Sequence, residues 1–263
     1  MSREEGASVL LEIDGAIATL RLNRPERLNA LTEQCRDDML RALESVRTDT
    51  RVRVVIITGA GRAFCSGGDL EKLRAYREAG DTAGFARILD GQLALTRAIR
   101  ALPQIVIAAV NGPCGGGGLD IALACDIRIA AQSATFGAPF LRLGILPDAT
   151  ALALLPLALG ASRALELLFD AGFVPASDAR AQGLASRVVP DNELLPTVRE
   201  LARQIAEHPP ELVAELKRLL ESSRRIDWTT DAHRAAQLRA FETPASLDAI
   251  RAATRARSSN SSR

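Results

Sequence analysis

The chain has 263 residues, 47% of them hydrophobic and 25% charged, a composition that fits a globular protein with a sizeable core and excludes a disordered one. Its 33 Lys+Arg nearly balance 32 Asp+Glu, and a formal net charge of +1 excludes the broad basic surface that phosphate backbones bind. With 3% aromatic residues there is little for base stacking. With only His208 and His233 there is little for imidazole metal sites or catalytic triads, so the chemistry falls to carboxylates and backbone.

The N-terminal MSREEGASVL lacks the apolar stretch of a signal peptide, and no uncharged apolar run reaches membrane-span length. The expected setting is therefore cytoplasmic, with neither a membrane nor a nucleic-acid partner. Cys35, Cys65, Cys114 and Cys125 show no CxxC spacing and read as reduced, buried thiols.

In chain order, residues 8–22 (SVLLEIDGAIATLRL) alternate apolar positions on either side of Asp14-Gly15, which reads as a β-hairpin. Thr32 is suited to cap a helix carrying Cys35, Met39, Ala42, Leu43 and Val46 at helical spacing, and VVIIT at 54–58 reads as a buried strand ending at Gly59. A second round follows: a helix over about 82–101, the strand IVIAAV at 105–110, a glycine run, the short helix LDIALA, and the strand DIRIAA at 126–131. No glycine follows Gly183, and 193–206, 211–222 and 231–242 carry helical periodicity, so the last third is expected to be helical, with a frayed tail from Arg255. Trp228 and Tyr76 read as packing residues.

Two glycine loops stand out, Gly59-Ala-Gly-Arg-Ala-Phe-Cys-Ser-Gly-Gly-Asp-Leu70 and Asn111-Gly-Pro-Cys-Gly-Gly-Gly-Gly-Leu-Asp120, each directly after a strand and before a helix. Each brings unpaired helix N-terminal N–H groups to a strand's carboxyl end, and two such loops could aim two N–H groups at one oxygen. The other reading is that the glycines only let a helix pack closely on a sheet. Neither loop is a dinucleotide fingerprint or a P-loop, and Ser66 lacks the G-x-S-x-G setting of a serine hydrolase.

GRAFCSGGDL, AAVNGPCGGGGLDIALACDIRIA and ATFGAPFLRLGILPD, in that order and separation, resemble the three signature stretches of the crotonase (enoyl-CoA hydratase/isomerase) superfamily. The resemblance runs from the hairpin and NRPERLNAL at 23–31 through AQGLASRVVP at 181–190. It implies an α/β fold: a spiral of ββα units over residues 1–190 that holds a CoA thioester site, and a helical C-terminal trimerisation region over 191–263. Homotrimers, often paired as hexamers, are implied too, as is an acyl-CoA thioester substrate with no separate cofactor, CoA being part of the substrate. Matching motif positions assigns the oxyanion-hole N–H groups to Gly68 and Gly117. Substrate contacts fall on Arg27, Leu28, Ala30, Ala63, Ser66, Asp69, Leu70, Gly116 and Phe140. In an arginine-rich chain, Arg27 also reads as a solvated surface residue.

Hydratases of the family use two glutamates, and the matching positions here are Asp120 and Phe140. Phenylalanine neither activates water nor delivers a proton. Asp148 instead matches the acid of the isomerase members, where one carboxylate moves a proton from C2 to C4, and the resemblance therefore favours an enoyl-CoA double-bond isomerase. Catalytic roles are expected for Asp148 and Asp120. Each has a second reading: Asp148 follows Pro147 as a helix N-cap, and Asp120 is a first-turn carboxylate favoured by the helix dipole. The alternatives to the isomerase are a hydratase, hydrolase or lyase using Asp120, or an acyl-CoA-binding paralogue with little activity.

Overall fold

The computed structural model describes residues 7–223 and 230–260. Strands β1 (Val9–Asp14) and β2 (Ile17–Leu22) form the expected hairpin. Asp14 pairs with Ile17, so the turn residues are Gly15 and Ala16, one position later than the Asp-Gly pair indicates. Gly15, at φ +58°, takes the left-handed conformation that a side chain would oppose. The alternation expected of β1 does not appear in its burial, and Leu11 and Ile13 lie exposed, because β1 is the edge strand.

Helix α1 (Glu33–Thr48) begins where Thr32 Oγ1 accepts the Cys35 N–H at 3.1 Å. Its inner face carries Cys35, Met39, Leu43 and Val46 together with one charged residue, Arg36. Strand β3 (Val54–Gly59) is buried along its whole length, because parallel neighbours flank it and helices cover both faces. The main sheet is completed by β4 (Ile105–Val110), β6 (Ile127–Ala131) and β9 (Arg187–Val189), in the order β1-β2-β3-β4-β6-β9, parallel from β2 onward. A smaller sheet holds β5 (Cys114–Gly115), β7 (Thr135–Gly137) and β8 (Phe173–Pro175). Single bridges Leu31–Gly68 and Cys65–Cys114 extend the inner ladder back along the chain. Successive turns thus place one stretch in each layer before the next helix, which is the ββα spiral.

The remaining helices are α2 (Leu70–Ala79), α3 (Thr82–Ala101), α4 (Gly117–Ala124), α5 (Ala149–Leu159), α6 (Ala161–Asp170), α7 (Ala176–Ala181), α8 (Leu194–Ala206), α9 (Pro210–Ser223), α10 (Thr230–Phe241) and α11 (Pro244–Asn260). Alternation in the central strands divides the core. Val55, Ile57, Val106 and Ala108 join the larger cluster, whereas Val54, Ile56, Ile107 and Ala109 meet Leu194, Val198 and Ala202 of α8. Burying a Val or Leu is worth about 1.5–3 kcal/mol, so α8, although it lies past residue 190, is held to the sheet by its apolar face.

Helix α9 is attached differently. Buried Lys217 donates from Nζ to Asp126 Oδ2 at 2.8 Å and to the Gln104 carbonyl at 3.0 Å, while Leu212, Leu216, Leu219 and Leu220 stay exposed. Helices α10 and α11 fold back onto α3 and α2. Phe241 stacks on Phe85 with ring centroids 3.9 Å apart. The tail expected to fray from Arg255 continues as helix through Asn260, because α11 buries Ile250 and Thr254. Trp228 lies outside the described residues, and Tyr76 packs inward and donates to Glu33 Oε1 at 2.6 Å. Among the described residues no helix is long and apolar enough to cross a membrane, and no three His, Cys, Asp or Glu side chains gather as a metal site.

Candidate active site

The expected CoA-contacting stretches form one backbone ladder. Leu28 and Asn29 both have positive φ, +50° and +55°, which costs about 1–3 kcal/mol each in non-glycine residues. Asn29 offsets this with its buried side chain: Oδ1 accepts the Arg24 N–H at 2.9 Å, and Nδ2 donates to the carbonyls of Ala60 at 2.9 Å and Ala63 at 2.8 Å. The strap so held lies beside the first glycine loop. The Ser66 N–H donates to the Leu28 carbonyl at 3.0 Å, the Leu31 N–H to Gly67 at 2.8 Å and the Asp69 N–H to Leu31 at 3.3 Å. Ala30 and Ala63 are buried, Ser66 and Leu70 are half-buried, and Ser66 Oγ has no partner among the described residues. Asp69 caps α2. Arg27 is exposed and pairs with Glu71 at 3.3 Å, so its surface reading and a phosphate contact remain compatible.

The two glycine loops meet backbone to backbone. Gly67, at φ +94°, comes so close to the second loop that a Cβ there would lie 2.8 Å from the Gly115 carbonyl oxygen and 3.2 Å from the Gly117 nitrogen. Gly116, at φ +52°, donates its N–H to Gly137 at 3.1 Å and serves as N-cap to α4. Leu31 bonds to Gly67 and Asp69, so the intervening Gly68 N–H faces the other way. Gly117, as the first residue of α4, has an N–H beyond the reach of intrahelical bonding. Among the described residues neither N–H has an acceptor, and the junction therefore offers two backbone donors.

The close-packing reading of the glycine run also holds, at a different residue. A Cβ on Gly118 would lie 2.2 Å from the Cys65 carbonyl oxygen, whereas one on Gly68 would meet nothing within 4 Å. Gly118→Ala should therefore cost about 3 kcal/mol or more in stability and Gly68→Ala almost nothing, which thermal unfolding of the two variants checks. Cys65 and Cys114 face each other across the same junction. Burial pushes the Cys65 thiol up to about 12 and the Cys114 thiol well above its ordinary value, so both remain inert packing residues.

The carboxylates differ from their local patterns. Asp148 occupies the N-cap position of α5, but its side chain makes no capping bond. It lies instead beside Asp120, which is fully buried in the first turn of α4. Burial, then the Asp148 charge and the bond between the two carboxyls, hold Asp120 well above the ordinary carboxylate range. The Ala151 N–H pulls the other way without reaching full hydrogen-bond geometry. Burial beside Asp148 therefore favours the protonated form of Asp120. Asp120 keeps the expected first-turn place on α4, but burial there opposes the ionised form that the helix field favours.

An acid raised in the folded state has its full stability below its unfolded pKa and loses it as pH rises toward the folded value. Asp120→Asn keeps a donor to Asp148 without an ionisable proton. Its thermal midpoint should match the wild type near pH 4 and exceed it progressively toward pH 8, and a pH series of unfolding scans measures this.

A cavity of about 270 Å3 opens beside the pair, lined by Asp148, Thr150, Gln92, Leu89, Arg97 and Arg234 among others. Sequence reasoning missed Gln92, which is 2% exposed and donates from Nε2 to the Gly117 carbonyl at 2.9 Å. Its only signal is a polar residue on the inner face of α3 among Leu89, Leu95 and Ile99. Phe140 is buried in the core and is not among the residues lining this cavity.

Comparison with known proteins decides the family. The enoyl-CoA hydratase/isomerase family matches residues 12–258. The chain belongs to the enoyl-CoA hydratase/isomerase family. It is 36% identical over 220 residues to the 1,2-epoxyphenylacetyl-CoA isomerase of Escherichia coli (strain K12), which covers 82% of each chain. A solved enoyl-CoA hydratase from Mycobacterium avium subsp. paratuberculosis K-10 superposes with a TM-score of 0.84 at 30% identity, covering 93% of this chain and 98% of that one. A monofunctional enoyl CoA isomerase from M. smegmatis gives a TM-score of 0.71 at 37% identity, covering 87% and 98%. The spiral is thus the crotonase fold and the protein is an enzyme of this family, whose members carry both hydratase and isomerase names.

Proposed function

We propose that this family member shifts the double bond of an enoyl-CoA from C3=C4 to C2=C3. The observation that carries the reading is the orientation of Asp148, which is turned off its own helix and into the wall of a cavity, against Asp120. Asp148 takes a proton from C2. The resulting dienolate places its charge on the thioester oxygen between the Gly68 and Gly117 N–H groups, each worth about 3–4 kcal/mol to the transition state. Asp148 then returns the proton to C4. Electrons and protons balance within the substrate, so no cofactor enters. Asp120 remains protonated throughout and stabilises the ionised form of its partner by hydrogen bonding.

One observation favours a second reading, hydration, because a protonated acid beside a carboxylate supplies two acid–base groups even with Phe140 in place of a glutamate. Asp120→Asn separates the two. In a one-base isomerisation it should leave turnover within about tenfold of wild type. In a two-acid hydration it should lower turnover by roughly 10² to 10⁴-fold. The same proposal includes assembly as a homotrimer or as a hexamer of two trimers, for which the exposed leucines of α9 offer an apolar surface.

A further inference from the structure

Among the described residues, Arg36 is a buried charged side chain that neither the motif positions nor the proposed chemistry uses. Arg36 is 4% exposed on the inner face of α1, in the midst of Cys35, Met39 and Leu43. Guanidinium stays charged when buried, and an uncompensated one is costly, so something in the fold must make its burial tolerable. Its Nε donates to Gln92 Oε1 at 3.3 Å, and the amide of Gln92 donates in turn to the Gly117 carbonyl at 2.9 Å. The Gln92 amide therefore has a single satisfactory orientation, with its oxygen to Arg36 and its nitrogen to the glycine loop. On its other side Arg36 lines a cavity of about 200 Å3 with Leu31 and Asp69, the residues that flank Gly68 across the ladder. Gln92 and Asp148 share the wall of the neighbouring cavity.

Arg36 is thus linked through Gln92 to the two-donor junction, and Gln92 shares a cavity wall with Asp148. Among the acidic groups that interact with it, Asp148 contributes most to holding its charge. We propose that Arg36 is a positioning residue, whose guanidinium is the countercharge of Asp148 and, through Gln92, the anchor of the Gly117 end of the oxyanion junction. The inference rests on the isomerase reading for its account of why an ionised Asp148 is needed. One fixed charge then serves both ends of the reaction: it favours the carboxylate that removes the C2 proton, and it places positive potential near the oxygen on which the charge develops.

Other charged groups face the same region and set the background. Asp120 on α4 lies beside Asp148. Asp90 and Arg97 on α3 and Arg234 on α10 line the Asp148 cavity, with Arg234 paired to Asp90 at 3.1 Å. Glu33, Asp69 and Lys72 line the Arg36 cavity. Of these cations, Arg36 combines deep burial with a direct hydrogen-bonded path to Gly117, so its removal should have an effect that salt does not mask.

The test compares full-length wild type with Arg36→Lys and Arg36→Met. Two readouts are followed against pH: kcat/KM for a trans-3-enoyl-CoA, and the infrared band of protonated carboxyl groups without substrate. In Arg36→Met, loss of the cation should move the acidic limb of the rate profile and the carboxyl band upward together by about one pH unit or more. Its kcat should fall at least about tenfold, with KM within about threefold. Arg36→Lys should return the limb and band toward their wild-type positions while recovering kcat only in part, because an ammonium does not reproduce the guanidinium's bond to Gln92. A Met variant with wild-type limb and band, or a Lys variant displaced as far as Met, would overturn the proposal. If Arg36→Met does not fold, Arg36→Gln takes its place with the same expectations. Absence of isomerisation in wild type would refute the isomerase reading alone, since the infrared titration reports the countercharge without turnover.

Discussion

Gly117→Pro should lower turnover by 10²-fold or more while the spiral still folds. The substitution deletes one N–H and little else. Gly117 is the first residue of α4, where proline's fixed φ is compatible with the helix and the missing donor breaks no backbone bond. The added Cβ meets Gln92 Oε1 and Leu31 Cδ1 at 3.2 Å, both ends of side chains that give by a few tenths of an ångström. Removal of one oxyanion donor costs about 10²–10³ in kcat. Far-ultraviolet circular dichroism and CoA affinity show whether the fold and binding persist. Turnover within about tenfold of wild type, with both intact, would mean that Gly117 is not a donor to the reacting oxygen.

Asp148→Asn should lower isomerisation by roughly 10² to 10⁴-fold, the range for loss of a general base, and should lower the thermal midpoint as well, because buried Arg36 loses a countercharge. The fold makes the stability half of this expectation sharper than the sequence does. A capping aspartate costs about 1 kcal/mol when replaced by alanine, but the Asp148 side chain does not cap α5. Asp148→Ala should therefore lose no cap energy but, by leaving buried Asp120 without the oxygen that faces it, should be less stable than Asp148→Asn and equally inactive. In both variants the Asp120 acid loses a neighbouring negative charge and should titrate closer to the ordinary carboxylate range. An Asn variant that isomerises at the wild-type rate would remove Asp148 from the mechanism.

What the sequence makes legible is what local rules govern. The continuous apolar runs of β3 and β4 read directly as strands, Thr32 as a cap, and the two glycine loops as strand-to-helix junctions. The hairpin turn differs by one residue because strand register, and not the Asp-Gly pair, fixes which residues cross over. Asp148 looks like an N-cap because Pro147 precedes it and an apolar helix follows. Packing of α4 on α5 brings it a tertiary partner, Asp120, that local pattern does not contain. Arg36 and Gln92 are hidden for a related reason. Each is a single polar residue on an otherwise apolar helix face, and its meaning emerges only where the two faces close over Gly117. The C-terminal third is correctly helical in composition, yet periodicity does not show that α10 and α11 return to the chain's own α2 and α3.

The most direct measurement presents the wild-type protein separately with a trans-3-enoyl-CoA and a trans-2-enoyl-CoA of equal chain length, following conjugated thioester absorbance and 3-hydroxyacyl-CoA together. One-base isomerisation by Asp148 predicts that absorbance rises with the 3-enoyl substrate and that neither substrate yields appreciable 3-hydroxyacyl-CoA. Rapid loss of absorbance from the 2-enoyl substrate with matching 3-hydroxyacyl-CoA, and no rise from the 3-enoyl substrate, would contradict it and assign the Asp120–Asp148 pair to hydration.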